Sequence, residues 1–298
     1  MATVSGERTG WRHGLGRGVA GAVEALGDLG LFAGQVLANL AGRPGRGTLA
    51  PVFYAVGVCS IPVVSITGMF IGMVLAVQSY NQFHQLGLAT RLGMIINISV
   101  VRELGPVLAA TMLAGRVGSA MAAELATMRI TEQIEAMACL GVNPVRYLAV
   151  PRFLACVLLI PLLTILADFM GVMGGALICT QVYHIEGHFY WRNTQGFIGM
   201  WDIATGGLIK PVFFGAAIAI LSCHRGFHSK PGAEGVGQAA TSAFVASFIA
   251  ILALDFFLAF ECLLKLNPAL LAPRLFPRDD GLAQRILDPF EINLDLVS

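Results

Sequence analysis

The feature that most constrains this chain is an apolar segment, Ala50 to Val77, that carries no charged side chain across about 28 residues. A helix needs only about 20 apolar residues to cross the hydrocarbon core of a bilayer, so this segment is long enough to span it. Composition extends the conclusion to the whole chain, because 56% of the residues are hydrophobic and 12% are charged. An average soluble domain has about 25% charged residues. We therefore predict an all-α integral membrane protein.

Four more apolar blocks follow, and together with the first they predict five transmembrane helices. The expected spans are residues 50–77, 104–123, 147–180, 206–223 and 239–264. Gly68 and Gly72 in the first span are four residues apart, as are Gly171 and Gly175 in the third, and small residues at this spacing let two helices approach closely. Residues 78–123 leave room for a re-entrant element before the second crossing.

The residues before the first span are expected to stay at the membrane surface. Residues 1–16 are polar and Gly-rich and lack the apolar core of a signal peptide, so they indicate a loose cytoplasmic tail. In residues 17–40, apolar positions such as Val23 and Leu26 share one broad face, whereas Glu24 lies on another. This pattern predicts an amphipathic helix in the membrane interface.

Lys and Arg residues are distributed unequally between the two ends of the expected bundle. If the N-terminus is cytoplasmic, the two short outer loops contain only Arg91 and Arg192. The cytoplasmic segments then contain Arg8, Arg12, Arg17, Arg43, Arg46, Arg129, Arg146, Arg152, Arg225 and Lys230. Cytoplasmic loops of multi-pass proteins are enriched in Lys and Arg, which favours this orientation and places residues 265–298 outside as a C-terminal tail.

The segment ELATMRITEQIEAMACLGVNP, residues 124–144, separates the second and third spans and is amphipathic. Its apolar residues recur at helical spacing: Ile130, Ile134 and Met137. The residues off this stripe form an acidic face: Glu132, Gln133 and Glu135. Gly141 and Pro144 are typical of a helix end. A short acidic helix between two spans would suit a soluble partner, although an ordinary solvated loop helix would show the same pattern.

Motifs for nucleotide binding or catalysis are missing from the sequence. No G-x-x-x-x-G-K-[ST] phosphate loop occurs, because none of Lys210, Lys230 and Lys265 follows the required Gly. The chain therefore cannot be its own P-loop ATPase. The Ser and Cys residues show no His and Asp companions in a nucleophile arrangement, so we assign no catalytic residue. A net charge of +1 argues against a nucleic-acid partner.

Metal-binding patterns are weak as well. The segment HIEGH contains His184, Glu186 and His188, but two His and an acid at this spacing arise commonly by chance. The six cysteines are scattered, mostly in apolar runs and without a CxxC pair, which is typical of small packing residues. We assign no metal site.

Charged residues inside the apolar blocks require an explanation, because an ionised group in lipid is costly. Glu103, Lys210 and Asp255 could pair as a structural salt bridge that holds the bundle. Together with Arg102, Glu103 and Lys210 could instead line a polar part of a cavity that meets a lipid headgroup. Asp168 and Asp255 could carry protons in a secondary transporter. The residues alone leave these alternatives open.

Three separated motifs resemble those of the MlaE (YrbE) permeases, the membrane subunits of lipid-transporting ABC systems. The segment RELGPVLAATMLAGRVGSAMAAELATMRITEQIEAMACLGVNPVRYLAVPR, residues 102–152, is similar to the family's signature region. The segments GAEGVGQAATSAFV, residues 232–245, and LALDFFL, residues 252–258, are similar to two later landmarks and occur in the same order. The resemblance covers residues 19–264.

This resemblance implies a homodimer in a bacterial inner membrane, with an interfacial N-terminal helix and five spans in each copy. Two copies of a P-loop ATPase would bind the dimer in the cytoplasm, and a ring of an MCE-domain protein would bind it on the outer side. The dimer would pass phospholipid, or a similar apolar lipid, between the membrane and the tunnel of that ring.

The resemblance also implies roles for particular residues. Residues 128–140 match the coupling helix that docks on the ATPase, and the candidate coupling residues are Glu124, Met128, Thr131, Glu132, Gln133, Glu135, Ala136, Met137 and Gly141. The candidates for a substrate cavity or an intramembrane charge network are Arg102, Glu103, Lys210 and Asp255.

The sequence departs from the family's pattern in two places. Residues 265–298 extend beyond the end of shorter members, and Asp168 lies where an apolar or small residue is expected. Two other classes of protein also fit the residues. A proton-coupled secondary transporter or channel would use Glu103, Asp168 and Asp255 without ATP, and a membrane scaffold would retain no lipid.

Overall fold

The computed structural model describes residues 8–40, 46–85, 92–184, 187–188, 190–191 and 207–266, and every regular element assigned in those residues is helical. Five helical runs among them are long and apolar enough to cross a membrane, and we refer to them as the first to fifth spans. They are Leu49–Tyr80, Gly93–Ile130, Val145–Gln181, Gly207–Phe227 and Ala233–Phe260. The prediction of an all-α membrane protein with five spans is confirmed.

The α-helices, in chain order, are α1 Arg8–Asn39, α2 Arg46–Val56, α3 Ile61–Gln85, α4 Leu92–Ser99, α5 Gly105–Leu113, α6 Ser119–Ile130, α7 Gln133–Cys139, α8 Val150–Gln181, α9 Lys210–Phe227 and α10 Ala233–Leu266. Shorter elements connect some of them. A 3₁₀ turn occupies Val58–Ser60, and π-helical turns occupy Val100–Leu104, Ala114–Gly118 and Val145–Ala149.

Several boundaries differ from the expected ones. Helix α1 begins at Arg8, so residues 8–16, which were expected to be a loose tail, are helical. The second span is one helical run from α4 to α6, because the π turns keep the backbone helical through Arg102 and Glu103. It therefore begins well before residue 104 and contains no re-entrant turn. The tail beyond residue 266 lies outside the described residues.

The chain forms two compact units, Met1–Leu252 and Ala253–Ser298, and the boundary falls within α10. The packing described below belongs to the first unit. In the second unit, the described part of α10 carries Asp255 and three exposed aromatic side chains, which are Phe256, Phe257 and Phe260.

The first and third spans pack against each other through glycines. A Cβ atom at Gly72 would overlap the backbone of Gly171, one at Gly68 would lie 3.0 Å from the Cα of Ala167, and one at Gly174 would overlap the carbonyl of Met69. Direct backbone contact of this kind requires residues without a side chain at the crossing. The crossing thus uses the Gly68/Gly72 pair of α3, but on α8 it uses Gly171 and Gly174, whereas a Cβ atom at Gly175 would lie nearest the Tyr190 hydroxyl, at 3.2 Å.

A break in the first span is held by an arginine from the second. The helix is interrupted at Val58–Ser60, immediately before Pro62, which has no N–H to continue the hydrogen-bond ladder. Arg116, in a π turn of the second span, donates to Ser60 Oγ at 2.5 Å and to the carbonyl of Ala55 at 3.4 Å. The guanidinium therefore supplies hydrogen bonds that the broken helix lacks.

A buried tyrosine closes the end of the bundle opposite α7. Tyr190 packs in a cluster that includes Ile96 and Cys179, and its hydroxyl donates to Asn97 Oδ1 at 3.0 Å. Burial raises the pKa of Tyr190, because the ionised phenolate would be desolvated there.

Helix α1 attaches to the bundle by a narrow stripe. Phe32 and Val36 are buried, and the Phe32 ring lies 5.6 Å from the rings of both His224 and Phe227 at the end of α9. Other apolar residues of α1, such as Leu31, stay exposed on the protein surface. An amphipathic helix with an unburied apolar face is typical of a membrane interface.

Candidate functional site

The segment between α6 and α8 forms a compact projection at one end of the bundle, which we call the coupling hairpin (residues 124–152). Helix α6 ends at Ile130, and the chain then turns at Thr131 and Glu132, where Glu132 has a positive φ of 58°. Helix α7 covers Gln133–Cys139, so it is shorter than the predicted helix at 128–140. Met128 accordingly belongs to α6.

The second half of the hairpin is fixed by backbone hydrogen bonds. At the end of α7, the N–H of Gly141 donates to Ala138 and the N–H of Val142 donates to Met137, both at 3.0 Å, while Gly141 has a φ of +78°. This is the Schellman arrangement, which favours Gly at the left-handed position. Asn143 Oδ1 then accepts from the N–H of Val145 at 3.0 Å. The end of α7 is therefore joined to the third span through a defined turn.

The candidate coupling residues are distributed over this hairpin as follows. Thr131, Glu132, Gln133, Glu135, Ala136 and Gly141 are exposed, whereas Met128 and Met137 are half-buried. Ile134 is the buried residue of α7 and anchors the helix to the bundle. Leu140, directly after α7, is 81% exposed. The exposed surface of α7 and its flanking turns thus combines carboxylates with one large apolar side chain.

Glu124 is held within the chain. Its Oε2 accepts a hydrogen bond from Arg152 Nη2 at 2.7 Å, and Arg152 Nη1 donates to the carbonyl of Leu148 at 2.8 Å. Arg152 is only 4% exposed. Sequence reasoning missed this residue as part of the site, although a cation just inside an otherwise apolar span was a signal that it needed a partner.

A second arginine ties the hairpin to the fourth span. Arg129, near the end of α6, donates from Nη1 to the carbonyl of Phe227 at the end of α9. The backbone carbonyls at a helix end have no partner within the helix, and a cation there is favourable. The coupling hairpin is therefore connected to α9 as well as to α6 and α8, the two helices that flank it and that we call its stems.

Lys210 of the fourth span and Glu103 of the second form an ion pair, which was one of the alternatives that the sequence left open. Lys210 Nζ lies 3.0 Å from Glu103 Oε2 and 3.2 Å from the carbonyl of Arg102. That carbonyl would normally accept from the N–H four residues later, but the residue there is Pro106, which has none. Lys210 is 6% exposed, whereas the Glu103 side chain is 52% exposed. The ammonium is thus enclosed, and the carboxylate faces outward from the chain.

The other acidic candidates lie elsewhere. Asp168 is buried in α8 with its Oδ1 against Gly105, and neither carboxyl oxygen has a hydrogen-bond partner in the described part of the chain. Asp255 lies in the second compact unit. Of the HIEGH residues, His184 and His188 are exposed, and Glu186 lies outside the described residues.

The chain is similar to known membrane permeases over most of its length. The family model described as Permease MlaE matches residues 50–260, which include all five spans and the coupling hairpin. The chain belongs to the MlaE permease family. A probable ABC transporter permease protein of Synechocystis is 41% identical over 227 residues, covering 76% of this chain and 86% of the relative.

Two other relatives of this MlaE-family chain carry more specific names. The intermembrane phospholipid transport system permease protein MlaE of Haemophilus influenzae is 34% identical over 245 residues, which cover 82% of this chain and 94% of that protein. The chloroplastic protein trigalactosyldiacylglycerol 1 of Arabidopsis thaliana is 38% identical over 200 residues, covering 67% of this chain and 57% of that protein. The chain is thus a multi-pass permease similar to subunits of ABC transporters.

Proposed function

We propose that this chain is the transmembrane subunit of an ATP-driven transporter that moves phospholipid between the inner membrane of a bacterium and a partner protein of the MCE class. The name of the Haemophilus relative, an intermembrane phospholipid transport system permease, supports the choice of substrate. ATP and Mg²⁺ would bind to a separate cytoplasmic P-loop ATPase dimer. The N-terminus would lie in the cytoplasm and the C-terminus in the periplasm.

The observation that carries this proposal is the projecting acidic helix α7. Glu132 and Glu135 are exposed on it, while Ile134 and the turn at Gly141 fix it to the bundle. A short helix presented rigidly at one end of a membrane bundle suits a groove in a soluble partner, because little ordering entropy is lost on docking. Basic residues on the ATPase would complement its carboxylates.

The exposed carboxylate of Glu103 supports a homodimer with an internal cavity. A half-exposed ionised group is costly against lipid tails, so its open side is expected to face water, a headgroup or a second copy of the chain. In the proposed dimer, Glu103 and Lys210 would line a cavity between the two copies, with Arg102 as a further candidate. The phospholipid headgroup would be received there.

Reconstitution of the chain with its ATPase in vesicles tests the proposal. We expect ATP-dependent transfer of a fluorescent phospholipid to acceptor vesicles, and mass spectrometry of the purified complex should find retained phospholipid. The double variant E132K/E135K should lose the ATPase during purification. A matched control is E234K, which reverses an exposed carboxylate at the start of α10 outside the hairpin.

Specific outcomes would contradict this function. If E132K/E135K co-purifies with the ATPase as well as E234K does, α7 is not the docking element. Absence of ATP-dependent lipid transfer by the complete wild-type complex would refute lipid transport itself.

A proton-coupled secondary transporter is the second candidate, because Asp168 is a buried carboxyl group without a hydrogen-bond partner among the described residues. Buried acids of this kind occur in proton relays. This candidate predicts transport that continues without any ATPase and stops when the proton gradient is collapsed. The ABC-type proposal predicts the opposite in both tests.

A further inference from the structure

The Glu124–Arg152 ion pair closes a loop around the coupling hairpin. Glu124 lies on α6 before α7, Arg152 lies on α8 after it, and their side chains meet at 2.7 Å. Helices α6 and α8 both pack extensively on α9, whereas direct backbone contact between α6 and α8 is sparse. The ion pair is therefore a direct side-chain connection between α6 and α8, which otherwise meet mainly through α9, although earlier parts of the second span pack directly on the third.

We propose that the Glu124–Arg152 pair is a positioning device that fastens the two stems of the coupling hairpin, so that displacement of α7 moves α6 and α8 together. The pair would thereby set how much phospholipid is moved for each ATP hydrolysed. This inference rests on the proposed function. Glu124 is accordingly a residue that transmits force within the chain and not a contact to the ATPase.

The geometry of Arg152 suits this role. The guanidinium presents several donors in a fixed plane, and here one bonds the α6 carboxylate while another bonds the carbonyl of Leu148 in the turn before α8. Arg152 is enclosed, so few other groups compete for it, while Glu124 remains 56% exposed and can be changed without opening the core. Charge-assisted hydrogen bonds of this kind are stronger than neutral ones.

The rest of the hairpin is stiff enough to transmit a push. The Schellman turn at Gly141 and the Asn143 side chain fix α7 to the third span. On the other stem, Arg129 ties α6 to the end of α9. None of these bonds connects the end of α6 directly to the start of α8. The Glu124–Arg152 ion pair makes that connection.

The test measures ATP hydrolysis and phospholipid transfer in the same reconstituted complex and takes their ratio. For E124A we expect a lower unfolding temperature, because the enclosed guanidinium loses its partner carboxylate. The complex should still assemble with the ATPase and hydrolyse ATP, and the lipid moved per ATP should fall about fivefold or more, the lower end of typical coupling effects. E124D, which keeps the carboxylate, should restore much of the ratio. The matched control is E234A, which removes an exposed carboxylate outside the hairpin and should leave the ratio unchanged.

Each result decides a different question. If the wild-type complex shows no ATP-dependent transfer, the proposed function fails and this inference fails with it. If the wild type transfers lipid and E124A has the same ratio, the inference alone is overturned. Should E124A not assemble, R152M is measured instead, because it removes both donors of the pair and leaves the half-exposed Glu124 accessible to water. A lowered ratio in R152M supports the pair, and a wild-type ratio overturns it.

Discussion

The glycine contact between the first and third spans can be tested by adding a single methyl group. A Cβ atom at Gly72 would lie 2.6 Å from the carbonyl carbon and 2.9 Å from the Cα of Gly171, whereas ordinary contacts begin near 3.4 Å. In G72A the two backbones must therefore separate by about 0.8 Å or more at this point, which is the difference between 3.4 and 2.6 Å. That separation would loosen the close packing around the whole crossing.

The magnitude follows from two opposing effects. Overpacking a well-packed contact costs about 1–3 kcal/mol. Replacing Gly by Ala in a helix interior contributes about 0.5–1 kcal/mol in the other direction, because Ala has the higher helix propensity. G237A isolates this second effect, since a Cβ atom at Gly237 in α10 would meet nothing within 4 Å. Both variants gain the same helix propensity, so we expect G72A to lie below G237A in stability by the overpacking cost alone, about 1–3 kcal/mol.

Thermal unfolding in detergent, followed by fluorescence-detected size exclusion, measures the difference. G72A should unfold several degrees below the wild type, and G237A should unfold at or slightly above it. If G72A is as stable as G237A, the backbones of α3 and α8 are not in the close contact described, and the packing of the first span must be different.

Three further predictions concern single side chains. Y190F should destabilise the protein by about 1 kcal/mol through loss of the hydrogen bond to Asn97. Because burial raises the pKa of Tyr190, the stability of the wild type should fall as pH rises above about 10, and that of Y190F should fall less. Denaturation at pH 8 and pH 10.5 checks both. E103Q should lower the unfolding temperature more than K210M does. E103Q removes the carboxylate that faces an enclosed ammonium, whereas K210M leaves a carboxylate that is half-exposed. Equal effects of the two variants would argue against this explanation. D168N should leave ATP-dependent lipid transfer within about twofold of the wild type, since the carboxyl group makes no hydrogen bond within the described residues that the amide would lose. Abolished transfer would favour the proton-carrier alternative.

The membrane class and the number of spans could be predicted from sequence because hydropathy is a local property that adds along the chain. The boundaries of the second span could not, since Arg102 and Glu103 interrupt its apolar pattern. In the folded chain, π turns keep the helix continuous through these residues, and Lys210 from the fourth span bonds to both. The compensating group lies over a hundred residues away, so no local pattern contains it.

The coupling hairpin shows the same division. An amphipathic helix with Gly and Pro at its end could be predicted from side-chain spacing, because the helical period and the backbone freedom of Gly141 depend only on neighbouring residues. The shorter extent of α7 depends on the left-handed turn at Glu132, a conformation that Glu adopts rarely and that propensity does not favour.

By itself, the sequence determined that this chain is a five-span α-helical permease of the MlaE family with a helical projection between the second and third spans. Only the tertiary structure showed which groups pair: Gly72 with Gly171, Lys210 with Glu103, and Glu124 with Arg152. The sequence had suggested a partner protein as the contact of Glu124. Hydrophobic burial sets which segments enter the membrane, because it sums over many residues. Pairing depends on the rotation and register of helices that meet only in the folded bundle, and an error of one residue turns a helical side chain by about 100°.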